Sequence, residues 1–266
     1  KRIQKAGLTE AEVGYLWMDD SLGLILDKLD SLGIADNTIV VFVSDHGSER
    51  KGSLIKTRGT EIPCLIRWPK VIKPGSVSHG LLQNTDFVPT WFELAGAKIP
   101  EDYHMDGKSL VPMFEDPSVS VREFIYAEQG AARAIKTDTL EYLSIRYTDE
   151  QIAMAQSKRS DRAYKTLLGL SSGISRARYF HPDIFSADQL YDLSKDPDSQ
   201  NNLATDPSYA GQLKKMKNML TKTVKNLGSR PYGDFVPGKG TSDADTSQKI
   251  LDKLSVYHAK ENKKKK

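Results

Sequence analysis

Cysteine is almost absent. Cys64 stands alone among 266 residues, which excludes an internal disulfide framework and a multi-cysteine zinc site. No apolar run approaches the roughly 20 residues that a membrane-spanning helix requires, so no transmembrane segment is expected. An excess of either charge is also missing. The formal net charge is only +3, and the five lysines between Lys260 and Lys266 contribute to it. A basic tail without interleaved aromatic residues reads as a solvated terminus, so a nucleic-acid partner is not expected. The first residues, Lys1-Arg2-Ile3, bring neither an initiating Met nor an apolar signal core. They read as a start inside a longer polypeptide, or as what a removed leader leaves behind.

Apolar residues at 38% and charged residues at 27% fit a globular chain better than a disordered or fibrous one. Its length suffices for one large domain or two small ones. Thr9 followed by Glu12 has the spacing of a capping box and predicts a helix start. Val13, Leu16, Trp17, Leu22, Ile25, Leu26, Leu29 and Leu32 then recur on one face as far as Gly33, so this helix should pack against a partner. The β-branched and aromatic run Ile39 to Val43 suits a strand buried on both faces, in a mostly parallel sheet covered by helices. A second strand is expected at Cys64 to Trp68, a turn at Lys73 to Ser76, and a short helix from Asp86 to Ala95 that Gly96 ends.

Past residue 118 the pattern changes. Short segments at Phe124 to Glu128, Ala132 to Lys136 and Tyr142 to Tyr147 suggest an antiparallel meander, and Leu190 to Leu193 could add a strand. A polar, helical insertion is expected over 150–168. Leu213, Met216, Leu220, Val224 and Leu227 step by three or four and predict a helix closed by Gly228. Pro231 to Ser247, rich in Gly, Pro, Ser and Asp, reads as an extended arm. The expected organisation is an α/β layer over 1–118, a small α+β subdomain over 119–230 with an antiparallel sheet and a C-terminal helix, and an arm with a basic tail over 231–266.

Chemistry is expected where strands end, because ligands in open α/β sheets gather beyond their carboxyl ends. Ser44-Asp45-His46-Gly47 follows directly on the first strand. A carboxylate beside an imidazole can ligate a metal or share a proton, or can serve only as turn residues bonded to backbone. Lys51, Lys56 and Arg58 lie on the next loop and could hold an oxyanion or merely face solvent. His104 lies beside Met105-Asp106-Gly107 and reads either as a substrate contact or as a loop histidine. Gly169-Leu170-Ser171-Ser172-Gly173 matches the nucleophile-elbow spacing, but no strand precedes it, so it reads as a turn. Cys64 falls in a strand and reads as a small core residue.

Tyr15 to Gly47, with Met18-Asp19-Asp20, Leu32-Gly33-Ile34-Ala35-Asp36-Asn37-Thr38 and Val43-Ser44-Asp45-His46-Gly47, resembles the helix, strand and metal-binding turn of the sulfatases, members of the alkaline phosphatase superfamily. Further blocks match in the same order: Ile62-Pro63-Cys64-Leu65-Ile66-Arg67-Trp68-Pro69, Lys73-Pro74-Gly75-Ser76, Thr85-Asp86-Phe87-Val88-Pro89-Thr90, and Met105-Asp106-Gly107-Lys108-Ser109-Leu110. Gln189-Leu190-Tyr191-Asp192-Leu193 and Asn201-Asn202-Leu203-Ala204 resemble the small C-terminal subdomain of that family. So many blocks in one order, spread over residues 12 to 228, make a chance match implausible.

The resemblance implies an alkaline phosphatase-like fold and hydrolysis of sulfate esters, of a sulfated small molecule or polysaccharide. It makes Asp45 and His46 ligands of a calcium ion and Lys51 a sulfate clamp. Lys56 is the rival clamp, because the spacing from Lys51 to Pro63 is longer than the family pattern. Calcium prefers oxygen donors, so the imidazole leaves zinc or manganese as alternatives. The family nucleophile is a formylglycine made from Cys or Ser in a Cys/Ser-x-Pro-x-Arg motif, which this sequence does not contain. The expected partner is therefore the N-terminal half of the same enzyme, and this chain alone is expected to be inactive. A phosphodiesterase or phosphonate hydrolase of the same superfamily is the alternative enzyme, and a binding module derived from the fold the alternative class. Family habit implies a periplasmic, secreted or lysosomal location, which the residues themselves leave open.

Overall fold

Thr9 and Glu12 meet as their spacing requires. In the computed structural model, which describes residues 2–47, 59–101, 103, 105–129, 132–146 and 186–227, the Glu12 carboxylate accepts the Thr9 N–H at 2.8 Å and the Thr9 hydroxyl at 2.7 Å. This satisfies a donor that a helix start would otherwise leave orphaned. The short helix α1 (Arg2–Lys5) precedes this cap, and α2 (Val13–Ser31) follows it. Gly33 stops α2 at φ +68°. Its N–H reaches Asp30 O at 3.0 Å while Ile34 N–H reaches Leu29 O at 3.2 Å, the paired bonds of a Schellman stop.

The apolar face of α2 departs from expectation. No residue of α2 is buried, and of the residues expected on its packing face Val13, Trp17 and Ile25 are 41%, 74% and 55% exposed. Periodicity proposes a face but does not supply the surface that would cover it. Among the described residues the strand β1 (Val40–Val43) likewise pairs only with β2 (Cys64–Arg67), and the pair is antiparallel, with Val40 opposite Arg67 and Val43 opposite Cys64. This corrects the expected parallel sheet and the expected burial on both faces, since Val43 is 42% and Leu65 62% exposed. A β-branched run favours extended backbone, but burial depends on neighbours that the run does not encode. Cys64 is half-buried rather than fully enclosed.

Asp36 and Asp30 fasten β2 to the end of α2: Trp68 Nε1 donates to Asp36 O at 3.1 Å, and Arg67 pairs with Asp30 at 3.3 Å. The helix α3 (Phe87–Leu94) starts after one 3-10 turn at Asn84–Asp86 and ends before Gly96. A short helix α4 (Val111–Glu115), which no sequence signal announced, buries Met113 and Phe114 beside Leu110. Trp68 meets the Phe114 ring edge-on with centroids 6.4 Å apart, so β2, α3 and α4 share a small core.

The second part is an antiparallel sheet ordered β3 (Ile125–Gln129), β4 (Ala132–Lys136), β5 (Leu140–Ile145), β6 (Asp188–Asp192). Ile135 faces Tyr142 and Tyr142 faces Leu190 across adjacent strands. The helix α5 (Ala210–Asn226) lays Met216 and Leu220 on this row, and all five side chains are fully buried. Asp188 fastens the same helix: its carboxylate accepts Tyr142 OH at 2.6 Å, Arg146 Nη2 at 2.8 Å and Lys217 Nζ at 2.6 Å. The expected antiparallel sheet and covering helix are thus present. The expected insertion over 150–168, the Gly169 to Gly173 motif, the Gly228 stop and the arm over 231–247 lie outside the described residues.

Candidate functional site

Ser44 begins a turn off the end of β1 that is held at both ends. Its N–H reaches Pro63 O at 3.4 Å, its hydroxyl donates to His46 O at 2.8 Å, and the buried Gly47 donates its N–H to Gly59 O at 3.1 Å. Turn and β2 entrance are therefore one unit. Asp45 points outward, with its side chain 83% exposed. His46 places Nδ1 2.9 Å from Gly47 O. A carbonyl can only accept, so Nδ1 carries a ring proton and Nε2 is the nitrogen left to face Asp45. That Nε2 lies 3.4 Å from Asp45 Oδ2, close enough for one cation to touch both donors.

One carboxylate oxygen and one imidazole nitrogen are donors that suit a divalent cation, and the Gly47 carbonyl orients the ring. Among the described residues no third His, Cys, Asp or Glu joins them. A calcium ion takes about six to eight ligands, so the shell needs other donors. Lys51 and its rival Lys56 lie outside the described residues, as does His104. The Cys64 thiol, pushed up by burial, is poorly suited to act as a nucleophile.

A second constellation was not anticipated from the sequence. Asp86 is fully buried, yet its carboxylate gathers donors from three stretches of chain. Gln83 N–H donates at 2.7 Å, Lys108 N–H at 2.8 Å and Arg122 Nε at 3.1 Å, and Arg122 Nη2 adds a further bond. Arg122 Nη1 also donates to Gln83 Oε1 at 3.0 Å, and Gln83 Nε2 reaches Tyr126 O at 2.7 Å. Gly107 lets the chain come this close, because a Cβ there would lie 2.0 Å from Thr85 O. The signal was available: Gln83 three residues before Asp86 has the reciprocal spacing of a helix cap, and Arg122 is a cation placed just before a strand.

Gln83, Lys108, Arg122 and Tyr126 all line an open cleft of about 1430 Å³. The Tyr126 hydroxyl donates to Glu128 at 2.5 Å, and burial together with that carboxylate holds it well above the usual phenol range. Neither Asp45 nor His46 belongs to the lining of this cleft.

Comparison with known proteins follows the same residues. The family model described as Sulfatase matches residues 14–97. An ulvan-active sulfatase of Formosa agariphila is 34% identical over 217 residues, covering 79% of this chain and 41% of the relative. An N-acetylglucosamine-6-O-sulfatase of Bacteroides thetaiotaomicron is 29% identical, covering 79% of this chain and 34% of the relative. A protein solved in complex with its substrate D-glucosamine-2-N,6-O-disulfate superposes with a TM-score of 0.60 at 25% identity, covering 83% of this chain and 41% of that one. The chain thus spans less than half the length of each of these proteins.

Proposed function

Because this chain belongs to the sulfatase family of the alkaline phosphatase superfamily, we propose that it supplies part of the metal site of an enzyme that hydrolyses sulfate esters of a sugar or polysaccharide. The observation that carries the reading is the Asp45–His46 turn, where a carboxylate oxygen and an imidazole nitrogen lie 3.4 Å apart. In this reading Asp45 and His46 hold a calcium ion, with zinc or manganese as the alternatives that the nitrogen donor allows. When bound, the cation draws negative charge from the sulfuryl oxygens. Lys51, or Lys56 in its place, contributes an ammonium to those oxygens, and His104 contacts substrate. Gly47, fixed to Gly59 O, keeps Asp45 and His46 from drifting apart as charge develops.

The nucleophile is assigned to the N-terminal half of the same enzyme, as a formylglycine made from a Cys/Ser-x-Pro-x-Arg motif, since no such motif occurs in these 266 residues. The sugar part of the assignment is supported by relatives that act on ulvan and on N-acetylglucosamine-6-O-sulfate. The test uses the full-length protein with an aryl sulfate and an aryl phosphate. Sulfate turnover should dominate, and Asp45→Ala should lower kcat/KM by about 100-fold or more. Preferred turnover of the phosphate would move the enzyme to the phosphodiesterase and phosphonate hydrolase branch. Turnover of neither would leave a binding module.

A further inference from the structure

The three residues gathered around the Asp86 carboxylate, Gln83, Lys108 and Arg122, all line the cleft, although Asp86 itself is fully buried and does not. We propose that Asp86 is a positioning residue: by clamping Gln83, Lys108 and Arg122, and through Gln83 the start of β3, it sets the shape of a cleft that receives the non-reacting part of a sugar substrate. This rests on the sulfatase reading above. The chemistry of the lining points to a sugar bound through its hydroxyl groups. With Arg122 paired to Asp86 and Glu128 paired to Arg133, the remaining charged residues of the lining are Asp106, Glu123 and Asp138 against Lys108. Excess negative charge disfavours a second sulfate, while carboxylates accept hydrogen bonds from hydroxyl groups readily.

The clamp is built to hold one geometry. A buried carboxylate with a bidentate guanidinium and two backbone N–H donors has no spare acceptor direction, and removing its charge leaves Arg122, only 9% exposed, without a counter-ion. Thr90 locks the same region a second time, donating to Asp86 O and accepting Leu110 N–H at 2.9 Å. The 107–110 stretch is therefore fixed at two points to the start of α3. Slack at Asp86 should change how the cleft fits a sugar without touching the turn at Asp45 and His46.

The experiment compares Asp86→Asn with wild type in the full-length protein, using 4-nitrophenyl sulfate and N-acetylglucosamine-6-O-sulfate. Arg122→Lys, which keeps the charge and loses the bidentate fork, stands in if Asp86→Asn does not fold. Tyr142→Phe, which removes a hydroxyl bonded to Asp188 and not to the Asp86 cluster, controls for general destabilisation. The expected result is a KM for the sugar sulfate raised by about 10-fold, with kcat and the aryl sulfate constants within about 2-fold. Equal effects on both substrates, an equal effect of Tyr142→Phe, or wild-type turnover of the aryl ester alone would overturn the proposal. If wild type turns over neither ester, the sulfatase reading fails, and hydrogen exchange then decides the clamp. The Gln83 and Lys108 amides should lose protection by about 10-fold or more in Asp86→Asn and keep it in Tyr142→Phe. Unchanged protection would overturn the clamp as well.

Discussion

Asp188 shows how one side chain is pulled in two directions. Burial pushes its carboxyl up, but the bonds from Lys217, Tyr142 and Arg146 together bring it below the ordinary value. A carboxyl depressed in the folded state stabilises above its unfolded value of about 3.9 and loses that contribution as pH falls through the folded one. Asp188→Asn should therefore cost about 2–3 kcal/mol at pH 7, because Arg146 and Lys217 lose their shared acceptor. The difference from wild type should shrink toward pH 3 and below. Urea melts of both proteins at the two pH values check this, and an equal difference at both would refute it. Single residues were also where the sequence was least complete. Asp45 and His46 could be read as a pair from their place after a strand, whereas Asp86 and Arg122 come together only through the folds of three distant segments. Pairing across such a distance leaves no local periodicity to detect.

Elements were more legible, because their signals are local. Thr9 with Glu12, the Schellman stop at Gly33 and the three-and-four spacing of α5 are each determined within a few residues of chain, and each matches the structure closely. Strand burial was less legible. Ile39 to Val43 and Ala132 to Lys136 both contain short apolar runs, yet Val43 is 42% exposed while Ile135 is fully buried. The difference lies in α5, which covers the second sheet and has no counterpart over β1 among the described residues. Leu220 is the strongest test of that cover. It is fully buried between α5 and the Ile135, Tyr142, Leu190 row, so Leu220→Ala should cost about 2–5 kcal/mol in a thermal or urea melt. Leu213→Ala on the same helix removes a side chain that is only half-buried and should cost less. Equal losses would mean that α5 is not anchored through Leu220.

At the scale of the whole molecule, α2 and the β1–β2 pair both leave apolar side chains uncovered among the described residues. Trp17, Leu24, Tyr15 and Leu65 are each more than half exposed, and large apolar side chains left open to solvent mark a surface for a partner. On our reading the N-terminal half of the enzyme covers it. Residues 1–266 purified alone should then self-associate, bind calcium no tighter than the millimolar range, and turn over no aryl sulfate. Micromolar binding by calorimetry, or turnover abolished by Asp45→Ala, would show that the chain suffices by itself. The strand order β3-β4-β5-β6 carries a consequence in time rather than in space. The first three strands are joined by short connections, but β5 ends at Ile145 and β6 begins at Asp188, so the last pairing must close a long loop before it gains any contact. Loop-closure entropy makes such late, distant pairings the slow part of folding. The three-stranded meander should therefore form first and wait for β6 and α5 to dock. Stopped-flow refolding would report this as early formation at Ile135 and late formation at Leu190 and Leu220, so that truncating the latter two mainly hastens unfolding while truncating Ile135 slows the approach to the native state.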